Sequence, residues 1–168
     1  MSSGLKDEIK QTRPFGSLQE EAALNIARTY ALLDHSLAQA LKPFDITPTQ
    51  YNVLRILRGA GASGLCRNEI GERLIRRVPD VTRLLDRMEE AGLVLRERGG
   101  ADRRYVTTRV SEDGLKLLAN LEGKICEIHR TQLGHLDDET LRELIDLLTK
   151  VRARSLRRSS GPTRTESS

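Results

Sequence analysis

The side chains in this chain best suited to chemistry are its arginines. Between Cys66 and Ser111 every basic residue is Arg and none is Lys. A planar guanidinium makes paired hydrogen bonds to a phosphate or a guanine edge, which an ammonium point charge does not. Arg76 and Arg77 precede a short stretch with helical apolar spacing, and Arg83 and Arg87 lie within it. Arg103 and Arg104 follow beside Asp102. The chemistry offered is recognition of a nucleic-acid duplex rather than the breaking of a bond.

Other chemistries lack their residues. Catalysis needs a nucleophile with a base, or paired carboxylates in a cleft, and no such pairing is visible. Asp86, Glu89 and Glu90 are expected to pair with Arg83 and Arg87, which restrains indiscriminate binding. Metal sites need clustered His, Cys or carboxylates. His129 and His135 flank a helix end near Asp137 and Asp138, but their spacing matches no metal motif. No metal, cofactor or enzymatic activity is expected. Cys66 and Cys126 are too few and too far apart for a disulfide framework, and both are expected to pack as small apolar groups. The Gly59–Gly64 run lacks the lysine that a phosphate-binding loop requires.

The arginines need elements to position them. Val81, Leu84, Leu85 and Met88 fall at i, i+3, i+4 and i+7, one apolar helical face. Pro79 suits the first helical position, where its missing N–H costs nothing. Asp80, Thr82, Arg83, Asp86 and Arg87 occupy the opposite face. Ahead of it, Cys66, Ile70 and Leu74 mark a shorter apolar stripe, assigned to a first helix. Two short helices joined by a turn, the second with a polar outer face, are a helix-turn-helix, whose second helix lies in the major groove. Leu93–Arg98 and Tyr105–Val110 are rich in β-formers, with Gly99-Gly100-Ala101-Asp102 as the turn between them. Such a hairpin is a wing, and a wing arginine suits the narrow minor groove.

These residues resemble the MarR family of bacterial winged-helix transcription regulators. The stretches are VTRLLDRMEEAGLV and DRRYVTTRVSEDG, with the wing signature on Asp102, Arg104, Val110, Ser111 and Gly114. The resemblance runs from about Ser17 to Arg154. It departs where Val78-Pro79-Asp80 replace the usual Ser or Thr cap of the second helix, and where Val110-Ser111 replace Leu-Thr. It implies a homodimeric, ligand-responsive repressor that binds a pseudo-palindromic operator in double-stranded DNA. Arg76, Arg77, Asp80, Thr82, Arg83 and Arg87 are the candidates for base and phosphate contact. Arg104 is assigned to the minor groove, oriented by Asp102, and Arg103 to phosphate. The family commonly binds small aromatic ligands beside the dimer interface, and Tyr30, His35, Phe44 and Tyr51 lie on segments that could line that cleft. The alternative is a winged-helix module that binds protein rather than DNA.

The rest of the chain fits one domain with tails. It has 168 residues, a net charge of +4, 3% aromatic residues and no Trp, so its core must come from Leu, Ile, Val and Ala. Residues 1–16 read as a loose arm with a short helical piece near Leu5 to Lys10. Ser17 and Glu20 form a capping box for a helix to Leu41, with Ile26, Tyr30, Leu33, Leu37 and Leu41 as its stripe. Thr47, Pro48 and Gln50 open a buried helix to Arg58, followed by a flexible Gly59–Gly64 link. Ser111 caps a helix to Leu133 bearing Leu115, Leu118, Leu121, Ile125 and Ile128. A last helix, Asp138 to Arg154, carries Leu141, Leu144, Ile145, Leu148 and Val151.

The fold expected is mainly α with a small β-wing. Residues 46–110 form a winged helix-turn-helix domain. Residues 17–45 and 111–154 form N- and C-terminal dimerisation helices, and 155–168 a disordered tail. The terminal helices carry more apolar surface than one head can cover, which argues for a homodimer. With no leader and no bilayer-spanning run, the expected location is cytoplasmic, with no membrane partner.

Overall fold

The structure, a computed structural model, describes the backbone of residues 4–98 and 106–159, and the side chains of 4–97 and 106–153. The elements follow in order: α1 (Leu5–Glu8), α2 (Leu18–Leu41), α3 (Pro48–Ala60), β1 (Leu65–Cys66), α4 (Arg67–Arg73), α5 (Val81–Glu90), β2 (Val94–Arg98), β3 (Val106–Val110), α6 (Glu112–Leu133) and α7 (Asp138–Ser159). Residues 1–128 make one compact unit and 129–168 a second.

The helix starts follow their caps. The Gln50 N–H donates to Thr47 Oγ1 (3.2 Å), and the Thr47 N–H donates back to Gln50 Oε1 (2.8 Å), with Pro48 in the first turn. Ser17 Oγ accepts from the Glu20 N–H. The Glu20 carboxylate, however, reaches the Gly16 N–H (2.7 Å) rather than that of Ser17, so the expected box closes one residue early. Pro79 lies outside α5. Asp80 is the cap, its Oδ1 accepting from the Arg83 N–H (2.9 Å), because a carboxylate satisfies an unpaired first-turn donor that proline cannot.

The sheet has three strands rather than two, in the order β1-β3-β2, all antiparallel. Leu65 opposes Thr108 and Cys66 opposes Thr107. Cys66 is therefore a strand residue that leads into α4, not part of that helix. The glycine-rich link is a fitted corner: residues 61–63 form a 3-10 turn, and Gly64 has φ +62°. A Cβ on Gly64 would lie 2.6 Å from the Thr108 carbonyl oxygen, so only glycine lets β1 approach β3 here.

The main core draws Val53, Leu54 and Leu57 from α3, Leu65 from β1, Ile70 from α4, Leu85 and Met88 from α5, Val94 from β2 and Leu118 from α6, with Leu74 between helices. Each fully buried Leu contributes about 2 kcal/mol of apolar transfer. Every element of the head feeds this cluster, which fixes α5 relative to the sheet. A smaller cluster joins Leu41, Ile46, Leu121 and Ile125.

Two apolar stripes sit differently from their expected registers. On α2 only Leu41 is buried, while Ile26 and Tyr30 are exposed. On α6 the buried line is Gly114, Leu118, Leu121 and Ile125, and Leu115 faces solvent. Ser111 Oγ donates to the Gly92 carbonyl (2.6 Å) and accepts from the Gly114 N–H (2.9 Å), which seats the start of α6 against the base of the hairpin.

The arm is not wholly loose, since Leu5 on α1 is buried and Glu8 meets Arg28 of α2 at 3.7 Å. In the second unit, Asp137 caps α7 through the Thr140 N–H (2.8 Å). Leu144, Ile145, Leu147 and Val151 are exposed on α7, which continues to Ser159, beyond the expected end at Arg154.

Candidate nucleic-acid interface

α5 presents two unlike sides. Leu85 and Met88 are buried in the core, whereas Arg83 and Arg87 are exposed on the outer side. Thr82 is half-buried, its Oγ1 accepting from Arg67 Nη1 (3.3 Å) at the start of α4. A groove of about 630 Å³ runs between α4 and α5, lined by Arg67, Asn68, Glu72, Arg77, Asp80 and Thr82 among others. Arg67 and Asn68 were not among the expected contacts. The signal for them was positional: the first helix of a helix-turn-helix crosses the phosphate backbone.

The structure separates the expected contact residues into groups. Arg77, Thr82, Arg83 and Arg87 lie on or beside the outer side of α5. Asp80 spends its carboxylate on the α5 cap. Arg76 is held by α2: its Nε and Nη2 donate to the Tyr30 hydroxyl (3.0 and 2.6 Å), and Nη2 also to Asp34 Oδ2 (2.9 Å). Its guanidinium lies 5.4 Å from the centroid of the Tyr30 ring. The Tyr30 hydroxyl, and then Asp34, hold the Arg76 pKa above its ordinary value. Asp102, Arg103 and Arg104 fall outside the described residues. The β2–β3 register, running from Val94↔Val110 to Arg98↔Val106, puts them in the segment that joins the far ends of the two strands.

The acids of α5 pair across elements rather than along the helix. Arg96 of β2 meets Asp86, and also Glu89 at 3.5 Å, so Arg83 and Arg87 are not the partners expected for them. Arg96 is the more buried partner and bridges α5 to the hairpin. Arg109 of β3 pairs with Glu97 of β2 at 3.1 Å.

The start of α4 carries a titratable grip. The Cys66 N–H donates to Glu69 Oε2 (2.7 Å), and this bond holds the Glu69 carboxyl below its usual range. A lowered folded pKa gives stability that is present above the unfolded value and lost as pH falls through the folded one. We expect an NMR titration of the Glu69 carboxyl to show a midpoint below that of a free glutamate. The Cys66 amide should lose protection over that same acid range, and Glu69→Gln should remove this pH dependence.

The four aromatic and imidazole candidates do not converge. Phe44 and Tyr51 pack against the smaller cluster, with Lys124 over the Phe44 ring at 4.9 Å. Tyr30 is held by Arg76, and His35 is exposed. Cys66 is half-buried, and Cys126 is exposed, contrary to the packing expected of it. Among the described residues no group of three or more His, Cys, Asp or Glu is placed to hold a metal ion. No described helix is long and apolar enough to cross a membrane.

Comparison with known proteins follows the same outline. Residues 46–106 match the model of the MarR family. A crystal structure of a MarR transcription factor from Planctomyces limnophilus is 40% identical. The match covers 81% of this chain and 98% of that one, with a TM-score of 0.63. The MepR–DNA complex of S. aureus is 26% identical, covers 79% and 96%, and has a TM-score of 0.72. An uncharacterized HTH-type transcriptional regulator of Bacillus subtilis, YkoM, is 29% identical over 146 residues, covering 82% of this chain and 90% of that protein.

Proposed function

This chain belongs to the MarR family of DNA-binding transcription regulators, and from that membership we propose that it is a ligand-responsive repressor acting as a homodimer on a pseudo-palindromic operator. The observation that carries the reading is α5: a helix locked into the core on one side, with Arg83 and Arg87 exposed on the other. Arg77, Thr82, Arg83 and Arg87 then meet the major groove and its phosphates, with Arg67 beside them. Arg104, steadied by Asp102, enters the minor groove, and Arg103 takes a phosphate. The solved MepR–DNA complex supports the same use of the fold.

Homodimerisation through residues 17–45 and 111–154 is supported by apolar side chains left facing solvent. They are Leu24, Ile26 and Leu32 on α2 and, separately, Leu144, Ile145, Leu147 and Val151 on α7. Two heads held one helical turn apart read two half-sites. A small aromatic effector would act by its differential affinity for the two head separations. Tyr30, His35, Phe44 and Tyr51 are its candidate contacts. The protein works in the cytoplasm and carries no enzymatic activity in this scheme.

The test is a gel shift against the DNA upstream of the protein's own coding sequence. A discrete complex that unrelated DNA fails to compete is expected. Absence of any discrete complex would favour a protein-binding module. In the same assay Arg104→Ala should weaken binding by about 1–3 kcal/mol, roughly tenfold to a hundredfold. An unchanged affinity in a protein that is still dimeric would remove Arg104 from the interface.

A further inference from the structure

The turn from Leu74 to Asp80 launches α5, so whatever grips this turn sets the direction in which α5 presents its outer side. The structure shows three grips. Leu74 is buried in the main core. The Ile75 N–H donates to Asn52 Oδ1 on α3 (3.0 Å). Arg76 reaches α2, where Tyr30 and Asp34 stand one helical turn apart on the same face.

The third grip decides what Arg76 does. A guanidinium binds a phosphate with two parallel N–H groups along one edge of its fork. The edge formed by Nε and Nη2 is already filled by the Tyr30 hydroxyl, and Nη2 is shared with Asp34. The ring of Tyr30 adds a cation–π contact from a second direction. Three attractions from one helix on one guanidinium make a latch. The ion pair is largely exposed, with 54% of the Arg76 side chain accessible, so it adds little to global stability. Its effect is local, on the placement of the turn.

We infer that Arg76 is a positioning residue that latches the start of α5 to α2 through Tyr30 and Asp34, and makes no phosphate contact. This rests on the DNA-binding reading above. It gives α2 a second role beside dimerisation: a shift of α2 moves Tyr30 and Asp34, and with them the turn that aims α5. An effector that touches Tyr30 would then have a direct mechanical route to the DNA-reading helix.

The experiment compares wild type, Arg76→Ala, Tyr30→Phe and the double variant in the full-length dimer. Operator affinity is measured by fluorescence anisotropy across a salt series, with dimerisation checked by sedimentation. Each single variant should bind about threefold to thirtyfold more weakly. The double variant should be no weaker than the worse single one, because both cut the same link. The slope of log K against log salt should stay at the wild-type value. A slope shallower by about one unit in Arg76→Ala, with Tyr30→Phe binding as wild type, would make Arg76 a phosphate contact and overturn the latch. So would unchanged affinity in both variants.

Hydrogen exchange of the backbone amides from Ile75 to Asp80 in the free dimer gives a readout that needs no DNA. Both single variants should exchange faster there, and unchanged protection overturns the latch. A wild type that binds no duplex would defeat the DNA reading, while the exchange result still decides the latch.

Discussion

Gly114→Ala is expected to destabilise the fold by on the order of 3 kcal/mol, a fall in Tm of roughly 10 °C. A Cβ at position 114 would fall inside the contact distance of the Leu93 carbonyl oxygen, and 2.9 Å from Val110 Cγ2. Neither neighbour is the loose end of a flexible side chain. Leu93 O also accepts from the Ser111 N–H (3.1 Å), and Ser111 in turn holds the Gly92 carbonyl and the Gly114 N–H. Moving α6 outward by even a fraction of an ångström therefore strains the base of the hairpin and lifts Leu118 and Leu121 from their clusters. Gly123, nine residues further along the same helix, has open space around its Cα. Gly123→Ala should stabilise by up to about 1 kcal/mol, since alanine loses less backbone freedom in a helix. Opposite signs for two Gly→Ala changes in one helix, read by thermal melts, would establish that close approach at residue 114 is what matters. Equal effects would refute it.

What could be read from the sequence was local chemistry. Thr47-Pro48-Thr49-Gln50 announces its helix because donor, acceptor and proline all sit within four residues, and the capping box forms as expected. The buried face of α5 follows from spacing alone. Ser111 and Gly114 were legible as a motif, but not as a contact with Leu93. The misplacements have non-local causes. Cys66 has helical spacing to Ile70, yet pairing with Thr107 makes it a strand, and a two-residue strand has no period to detect. Leu115 and Gly114 fit the α6 stripe equally well by spacing, and the tight seat against Leu93 selects the glycine side. Asp86 lies within helical reach of Arg83, but the less exposed Arg96 of a neighbouring strand takes it. The grip of Arg76 on Tyr30 joins residues 46 apart in the chain, and no pattern in the intervening sequence encodes it. The outer side of α5 was thus legible as a surface, while the links that aim it were not.

Those links lead to the second large effect. Operator affinity should fall by roughly three to five powers of ten between about 50 and 200 mM salt. The candidates for phosphate and groove contact are Arg77, Arg83, Arg87 and Arg104, with Arg67 and Arg103 beside them. Arg76, Arg96 and Arg109 are held by internal acceptors. With about four arginines committed in each of two heads, some eight phosphates are neutralised, and the slope of log K against log salt should be near −7. The chain's net charge of +4 is too small to produce that steepness by general attraction, so the slope reports local contacts. A slope of about half this size, on a site that protects one half-operator, would mean that a single head binds. A nearly flat profile would remove the DNA interface altogether. Because Arg76 contributes to aim rather than to neutralisation, the steepness should survive its replacement, whereas losing Arg83 or Arg87 should lower it by about one unit each.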